Sequence, residues 1–114
     1  MILATIRMKI SPQKRGEALK ILKSTVEGNR ILPGCLSCRI YEDIEEDNVL
    51  MYEEMWKSEG ELEEHLRSDE YRKVLFVMEM ALHQPEVGFN TLTSSTGIET
   101  IEKARSLTGR KVRL

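Results

Sequence analysis

The stretch YEEMWKSEGELEEHL, residues Tyr52 to Leu66, changes its hydrophobic period halfway along. Up to Trp56 the residues alternate as in a β-strand, whereas after Ser58 the apolar residues recur at the three- and four-residue spacing of a helix. Ser58 and Glu61 form a capping box, in which the serine side chain bonds the backbone of the glutamate and the glutamate reaches back. A strand is therefore predicted to end at Trp56, with a short helix beginning after Ser58.

Periodicity also predicts the elements on both sides of this stretch. Before it, we expect a strand at Ile2–Ile10 and a helix that is opened by Ser11-Pro12 and broken at Leu32–Gly34. Two strands follow, Leu36–Ile44 and Val49–Trp56, joined by the hairpin Glu45–Asn48. After it, we expect a helix at Asp69–His83 and a strand over Val87–Thr93. The helix at Asp69–His83 is apolar nearly all round, so it should be covered on more than one side. A second possible capping box, Thr96 with Glu99, opens a short helix carrying Ile98, Ile101 and Leu107, which the basic tail RKVRL follows.

The order strand, helix, strand, strand, helix, strand is the split β-α-β arrangement. It predicts an α+β, ferredoxin-like domain with a four-stranded antiparallel sheet over residues 1–95, and a C-terminal helical extension with a basic tail over residues 96–114. The strand Val49–Trp56 is apolar on both faces, with Met51 and Met55 on one and Tyr52 and Trp56 on the other. Because a sheet face in water is normally polar, we expect a homodimer formed through these sheet faces.

Composition limits the other possibilities. The chain has 114 residues, of which 40% are apolar and 32% charged, a globular balance that fits one domain. Its net charge of −2 gives no general attraction to nucleic acid or anionic lipid. The first residues, MILATIRMKI, do not resemble a signal peptide, and no apolar run is long enough for a membrane span. The expected location is the cytoplasm.

Cys35 and Cys38 form a C-x-x-C motif, which in another setting would suggest a redox pair or half of a zinc site. The only other nitrogen or sulfur ligands of this kind, His65 and His83, lie far along the chain. On a strand, an offset of three would send the two thiols to opposite faces. We interpret both cysteines as small core residues and predict no metal site.

Several motifs follow one another between Leu32 and Val74. They are a Pro-Gly pair after the first helix, an acidic hairpin, and then Glu54, Trp56, Ser58, His65 and Ser68. This ordered set resembles the antibiotic-biosynthesis monooxygenase domain family, whose members are dimeric ferredoxin-like α+β barrels. The family includes quinol and polyketide monooxygenases, haem degraders and an isomerase-like branch, so the resemblance indicates the fold more strongly than the reaction.

The haem-degrading branch of the family uses a strand asparagine, a helix tryptophan and an iron-binding histidine. This chain has Ile6, His65 and Leu75 at the matching positions. Because a leucine cannot bind iron, the chain does not match the haem degraders. The resemblance to the quinol and polyketide monooxygenases implies that no cofactor is needed. It implies a cofactor-independent monooxygenase that oxidises a small aromatic, quinol or polyketide-like substrate with dioxygen. The alternatives are a non-catalytic dimeric ligand-binding or stress-related domain, and an isomerase acting on a small carbonyl compound.

His65 is the first catalytic candidate, because imidazole has an ordinary pKa of about 6.5 and serves as a base near neutral pH. Glu61, one turn earlier, could orient its ring; the alternative is a solvated helix histidine. Glu54 is the second catalytic candidate, acting as an acid or base in a cavity, unless it pairs with Arg7 or Arg39 across the sheet.

The remaining candidates are substrate-binding residues. Trp56 could form a wall of an aromatic site, although a lone strand tryptophan is more often core or interface. Tyr52, Tyr71 and Asn90 could donate hydrogen bonds to a substrate oxygen, or could satisfy buried polar groups. Phe76 and Met78 could line a cavity for a flat apolar ligand, or could simply pack in the core.

Overall fold

A computed structural model of the chain describes residues 1–107. The elements follow in the order β1 (Ile2–Lys9), α1 (Pro12–Asn29), β2 (Cys35–Glu42), β3 (Val49–Trp56), α2 (Glu59–Arg67), α3 (Arg72–Glu79), β4 (Glu86–Thr91) and α4 (Ile98–Leu107), with a short 3₁₀ helix, Asp69–Tyr71, between α2 and α3. The basic tail RKVRL lies outside the described residues. Among the helices of residues 1–107, none combines the length and the apolar character that crossing a bilayer requires.

The four strands form one antiparallel sheet in the order β2-β3-β1-β4. β1 lies between β3 and β4, with Ile6 opposite Tyr52 on one side and opposite Val87 on the other. The two consecutive strands β2 and β3 pair directly, whereas α1 carries the chain from β1 across to β2. This connectivity confirms the predicted ferredoxin-like α+β fold.

The helices pack on the sheet face that carries the alternate apolar residues of β1 and β3. The larger core joins these strands to α1 and α3 through buried residues that include Ile6, Tyr52, Leu22, Val74 and Val77. A smaller cluster, at the end of the sheet where α2 lies, contains Ile2, Trp56 and Leu62. α1 ends at Asn29, before the predicted break at Leu32–Gly34, and the chain enters β2 through Gly34, whose φ of +84° lies in the left-handed region that favours glycine.

A bulge in β2 changes the predicted arrangement of the cysteines. Cys35 lies opposite Trp56 and Cys38 opposite Glu54, so the extra residue Leu36 shifts the register between them. Because Trp56 and Glu54 are two residues apart on β3, both cysteines lie on the helix-covered face. The prediction that they point to opposite faces is therefore wrong. Cys38 is buried and Cys35 packs partly buried against the core, as expected of core residues.

The chemistry of the two thiols fits this packing role. Burial raises the pKa of Cys35 to about 11, and burial also raises the pKa of Cys38. Both groups are therefore protonated at neutral pH, whereas nucleophilic and metal-binding cysteines are thiolates. Within residues 1–107, no three His, Cys, Asp or Glu side chains are grouped so that they could hold a metal ion.

The helix predicted over Asp69–His83 is divided in the structure. Ser68 Oγ accepts a hydrogen bond from the backbone N–H of Tyr71 and starts the 3₁₀ helix, and α3 then ends at Glu79, well before Pro85. It ends early because the following backbone bonds to the end of β1, where the Leu82 N–H donates to a carbonyl oxygen at 2.8 Å. The expected cover on several sides is also not found within residues 1–107, since Leu75 and Phe76 are 47% and 50% exposed.

The second sheet face mixes apolar and charged residues. Leu3, Met51 and Met55 are only partly buried there, and Arg7 contacts Asp43 at 3.1 Å and a second acidic residue of the hairpin at 2.8 Å. Beyond the sheet, α4 confirms the helix predicted near residue 98. The division of the chain into residues 1–95 and 96–114 stays a prediction.

Candidate active site

Glu54 lies at the centre of a buried polar cluster. Its position on β3 directs it to the helix-covered face, where the residue is only 2% exposed. Burying a carboxylate without partners would cost several kcal/mol, on the order of 3–5 by analogy with broken buried pairs. Four side chains contact it instead: Oε2 lies 2.5 Å from Tyr52 Oη, 3.0 Å from Asn29 Nδ2 and 2.9 Å from His65 Nε2, and Oε1 lies 3.0 Å from Trp56 Nε1. We call these five residues the Glu54 cluster.

Three elements position the cluster. The period of two in β3 places Tyr52, Glu54 and Trp56 on one face of the sheet. Asn29 is the last residue of α1, and His65 lies in the last turn of α2. The helix α2 turns back over the end of β3, which explains why the lone tryptophan and a histidine nine positions later meet.

Aromatic contacts fix the orientation of the His65 ring. It stacks on Trp56 with the ring centroids 4.6 Å apart and the planes at 29°. Tyr71 meets it edge-on, with centroids 5.2 Å apart at 84°. Together with the bond to Glu54, these contacts leave the imidazole little freedom to rotate.

The hydrogen bonds also assign the tautomer of His65. Glu54 Oε2 accepts from Tyr52 and Asn29, and an ionised Glu54 can only accept, so Nε2 of His65 is assigned as the donor. In the neutral ring the lone pair then lies on Nδ1. His65 is only 4% exposed, and its Nδ1 is buried with no hydrogen-bond partner among residues 1–107. Within the described part of the chain, this lone pair is the unpaired acceptor of the cluster.

A cavity of about 320 Å³ has His65 among its lining residues. Trp56 and His65 belong to its lining, and the other lining residues are Leu32, Pro33, Glu61, Glu64, Ser68 and Glu70. Its volume is at the lower end of the range for small-molecule sites. A larger groove of about 630 Å³ lies between α1 and α3, but its lining contains no member of the Glu54 cluster. The smaller cavity is therefore the candidate active site.

The hydroxyls of Tyr52, in the cluster, and of Tyr71, beside it, stay protonated at neutral pH. Burial, together with the neighbouring Glu54 carboxylate, raises the pKa of Tyr52 far above its ordinary value, and burial raises the pKa of Tyr71 to about 12. Asn29 also donates to the Tyr52 oxygen at 2.9 Å, which fixes that hydroxyl in place. Neither phenol is therefore a base at neutral pH, and within residues 1–107 Nδ1 of His65 is an unpaired acceptor of the site.

Two predicted pairings are corrected. Glu54 does not pair with Arg7 or Arg39, because Arg7 lies on the other sheet face and Arg39 lies opposite Glu53. Its partners are the cluster residues on its own face. Glu61 does not orient His65 either, since its Oε2 has no hydrogen-bond partner among residues 1–107 and lies against Gly34. The serine half of the predicted capping box is confirmed by the Glu61 N–H, which lies 3.3 Å from Ser58 Oγ.

The structure brings together five of the eight site residues predicted from sequence, namely Glu54, His65, Trp56, Tyr52 and Tyr71. The other three lie apart from the cavity: Phe76 lines the groove between α1 and α3, Met78 packs against the core, and Asn90 is an exposed residue of β4. Asn29 was missed. Its signal was an amide near the end of an amphipathic helix, one turn before the Leu32–Gly34 break, on the side that becomes buried.

Comparison with known proteins supports the same architecture. An uncharacterised protein of Synechocystis sp. is 33% identical over 61 residues, which cover 54% of this chain and 42% of that protein, so the chain spans less than half of the relative's length. A conserved protein from Methanosarcina mazei Go1 superposes with a TM-score of 0.73 at 27% identity, covering 78% of this chain and 89% of its own. A Mycobacterium tuberculosis structure gives a TM-score of 0.75 at 22% identity, covering 84% and 98%, and shows the fold alone.

A family model described as antibiotic biosynthesis monooxygenase matches residues 1–75. That range runs from the first strand into α3 and includes every residue of the Glu54 cluster. The match covers well over half of the chain, so the protein belongs to the antibiotic biosynthesis monooxygenase family.

Proposed function

We propose that this protein is a cofactor-independent monooxygenase that oxidises a small aromatic, quinol or polyketide-like substrate with dioxygen. The observation that carries the proposal is the buried lone pair of His65 Nδ1 beside a cavity, with Nε2 held by the Glu54 carboxylate. This arrangement is that of a positioned general base whose protonated form is stabilised by a neighbouring charge. Membership of the monooxygenase family supports it.

In the proposed reaction a phenolic O–H of the substrate donates to Nδ1, and His65 takes its proton. The resulting imidazolium lies beside Glu54, which stabilises the developing positive charge. The electron-rich substrate anion then gives an electron to dioxygen, and the two radicals combine to form a C–O bond. One oxygen atom stays in the product, and the second leaves as water with two hydrogens of the substrate. Trp56 forms a wall that limits access of bulk water.

A homodimer is part of the proposal. Partly buried apolar side chains on the second sheet face, Leu3, Met51 and Met55, are suited to packing against another copy. Val87 and Phe89, 47% and 51% exposed, lie opposite Ile6 and Ala4, so they are on the other face of the sheet and are not part of this surface. A cytoplasmic location stays a prediction.

Oxygen consumption tests the proposed reaction. Purified protein, with its mass in solution measured by light scattering, is incubated with anthrone-like and menadiol-like compounds in an oxygen electrode. We expect uptake above the uncatalysed rate, and no product when oxygen is removed.

Uptake equal to the uncatalysed rate, with a folded protein, would contradict the proposal and favour a non-catalytic binding domain. Product formed under anaerobic conditions would instead favour an isomerase that uses the same base without oxygen.

A further inference from the structure

The cavity beside His65 has a strongly acidic lining. Three carboxylates, those of Glu61, Glu64 and Glu70, contribute to it, and no lysine or arginine does. Glu70 is the only one of the three with an ion-pair partner among residues 1–107, since its carboxylate lies 2.9 Å from Lys73. A negatively charged ligand would meet uncompensated repulsion at this site, whereas a positively charged one would be attracted.

Two buried hydrogen-bond acceptors among the lining residues indicate which groups a ligand would carry. Nδ1 of His65 and Oε2 of Glu61 are the buried side-chain atoms of residues 1–107 that lack a hydrogen-bond partner, and both residues line this one cavity. A buried acceptor without a donor destabilises the protein, so a ligand that supplies the donor recovers that free energy. Both atoms therefore indicate a ligand with two donor groups.

The spacing of the two residues allows one small molecule to reach both. Glu61 and His65 are one helical turn apart on α2, a separation of about 5–6 Å between Cβ atoms. The Glu61 carboxylate is held against Gly34, where a Cβ would come within 2.0 Å of Oε2. The absence of a side chain at Gly34 therefore lets the carboxylate occupy this position.

We propose that the cavity binds an aromatic substrate bearing a protonated amine, which donates to Glu61 Oε2 while a phenolic O–H donates to His65 Nδ1. The amine is favoured over a second hydroxyl because charge-assisted hydrogen bonds to a carboxylate are stronger than neutral ones. The role of the phenol rests on the proposed function, whereas the role of the amine rests on Glu61 and the acidic lining.

Three phenols of similar size and different charge test this inference: tyramine, 4-ethylphenol and 3-(4-hydroxyphenyl)propionate. Their affinities are measured by isothermal titration calorimetry without oxygen, so that binding is separated from turnover. We expect tyramine to bind about 5- to 10-fold more tightly than 4-ethylphenol, and the carboxylate compound to bind most weakly.

Glu61→Gln should reduce the tyramine preference to less than about twofold while the affinity for 4-ethylphenol stays unchanged. The matched control is Glu63→Gln, because Glu63 lies on the same helix, pairs with Arg67 and does not line the cavity. That variant should keep the full preference. Equal affinities for tyramine and 4-ethylphenol, a preference that survives in Glu61→Gln, or no binding of any of the three compounds would overturn the inference.

The outcomes distinguish this inference from the proposed reaction. A preference for tyramine in a protein that consumes no oxygen would support the amine site and contradict the monooxygenase. Oxygen uptake with neutral quinols, together with equal affinities for the three phenols, would support the monooxygenase and contradict the amine site.

Discussion

Replacing His65 by glutamine is expected to lower kcat/KM for oxygen uptake by about 10²- to 10⁴-fold, the usual contribution of a positioned general base. The glutamine amide can still donate a hydrogen bond to Glu54, so the buried carboxylate keeps that donor. The glutamine amide has no nitrogen lone pair that accepts a proton near neutral pH, so it cannot replace His65 as the base. The loss is measured with the oxygen electrode on a substrate that the native protein turns over.

His83→Gln is the matched control for this change. His83 is the other histidine of the chain, it is exposed, and it does not line the cavity. We expect its activity to equal that of the native protein. If His65→Gln keeps more than half of the native activity and its urea midpoint is unchanged, His65 is not the base.

Glu54→Ala is expected to reduce the free energy of unfolding by about 3–5 kcal/mol. The change leaves the buried donors of Tyr52 and Trp56 without an acceptor, takes from Asn29 one of its two oxygen acceptors, and removes the partner of His65 Nε2. Each unsatisfied buried group costs on the order of 1–3 kcal/mol, and water entering the space vacated by the side chain recovers part of that energy. The measurement is urea unfolding followed by circular dichroism.

The control for stability is Glu63→Ala. Its carboxylate is exposed and lies 3.8 Å from Arg67 on the same helix, so its loss should change the free energy of unfolding by less than about 0.5 kcal/mol. A Glu54→Ala protein destabilised by no more than this control would show that the Glu54 contacts do not stabilise the fold.

Much of the fold was predictable because the hydrophobic period changes sharply at the element boundaries. The alternation through Trp56 and the serine cap at Ser58 placed a strand and a helix correctly, and the strand order followed from the connections. The bulge at Leu36 was not predictable from this pattern, because a bulge inserts one residue without a change in composition. The early end of α3 depends on pairing with β1, which is a contact distant in sequence.

The candidate site was predictable only in part. Glu54, Trp56 and His65 could be singled out by residue type and by the motif order, but the partner of Glu54 could not. Arg7 and Arg39 differ from Glu54 in the sheet face they occupy, which the register of three strands decides. Asn29 joins the cluster from a helix end, and its role depends on how α1 packs over β3. Both contacts depend on the tertiary structure, which the spacing of residues along the chain does not determine.

The central claim is that Glu54 fixes His65 with the proton on Nε2 and the lone pair on Nδ1. Long-range ¹H–¹⁵N NMR spectra of the ¹⁵N-labelled protein, recorded at a pH where the imidazole is neutral, measure this directly, with His83 as the exposed reference. The account predicts a protonated Nε2 and an unprotonated Nδ1 for His65, a state that Glu54→Gln should disturb. A proton found on Nδ1, or the mixture of tautomers expected of a free histidine, would contradict it.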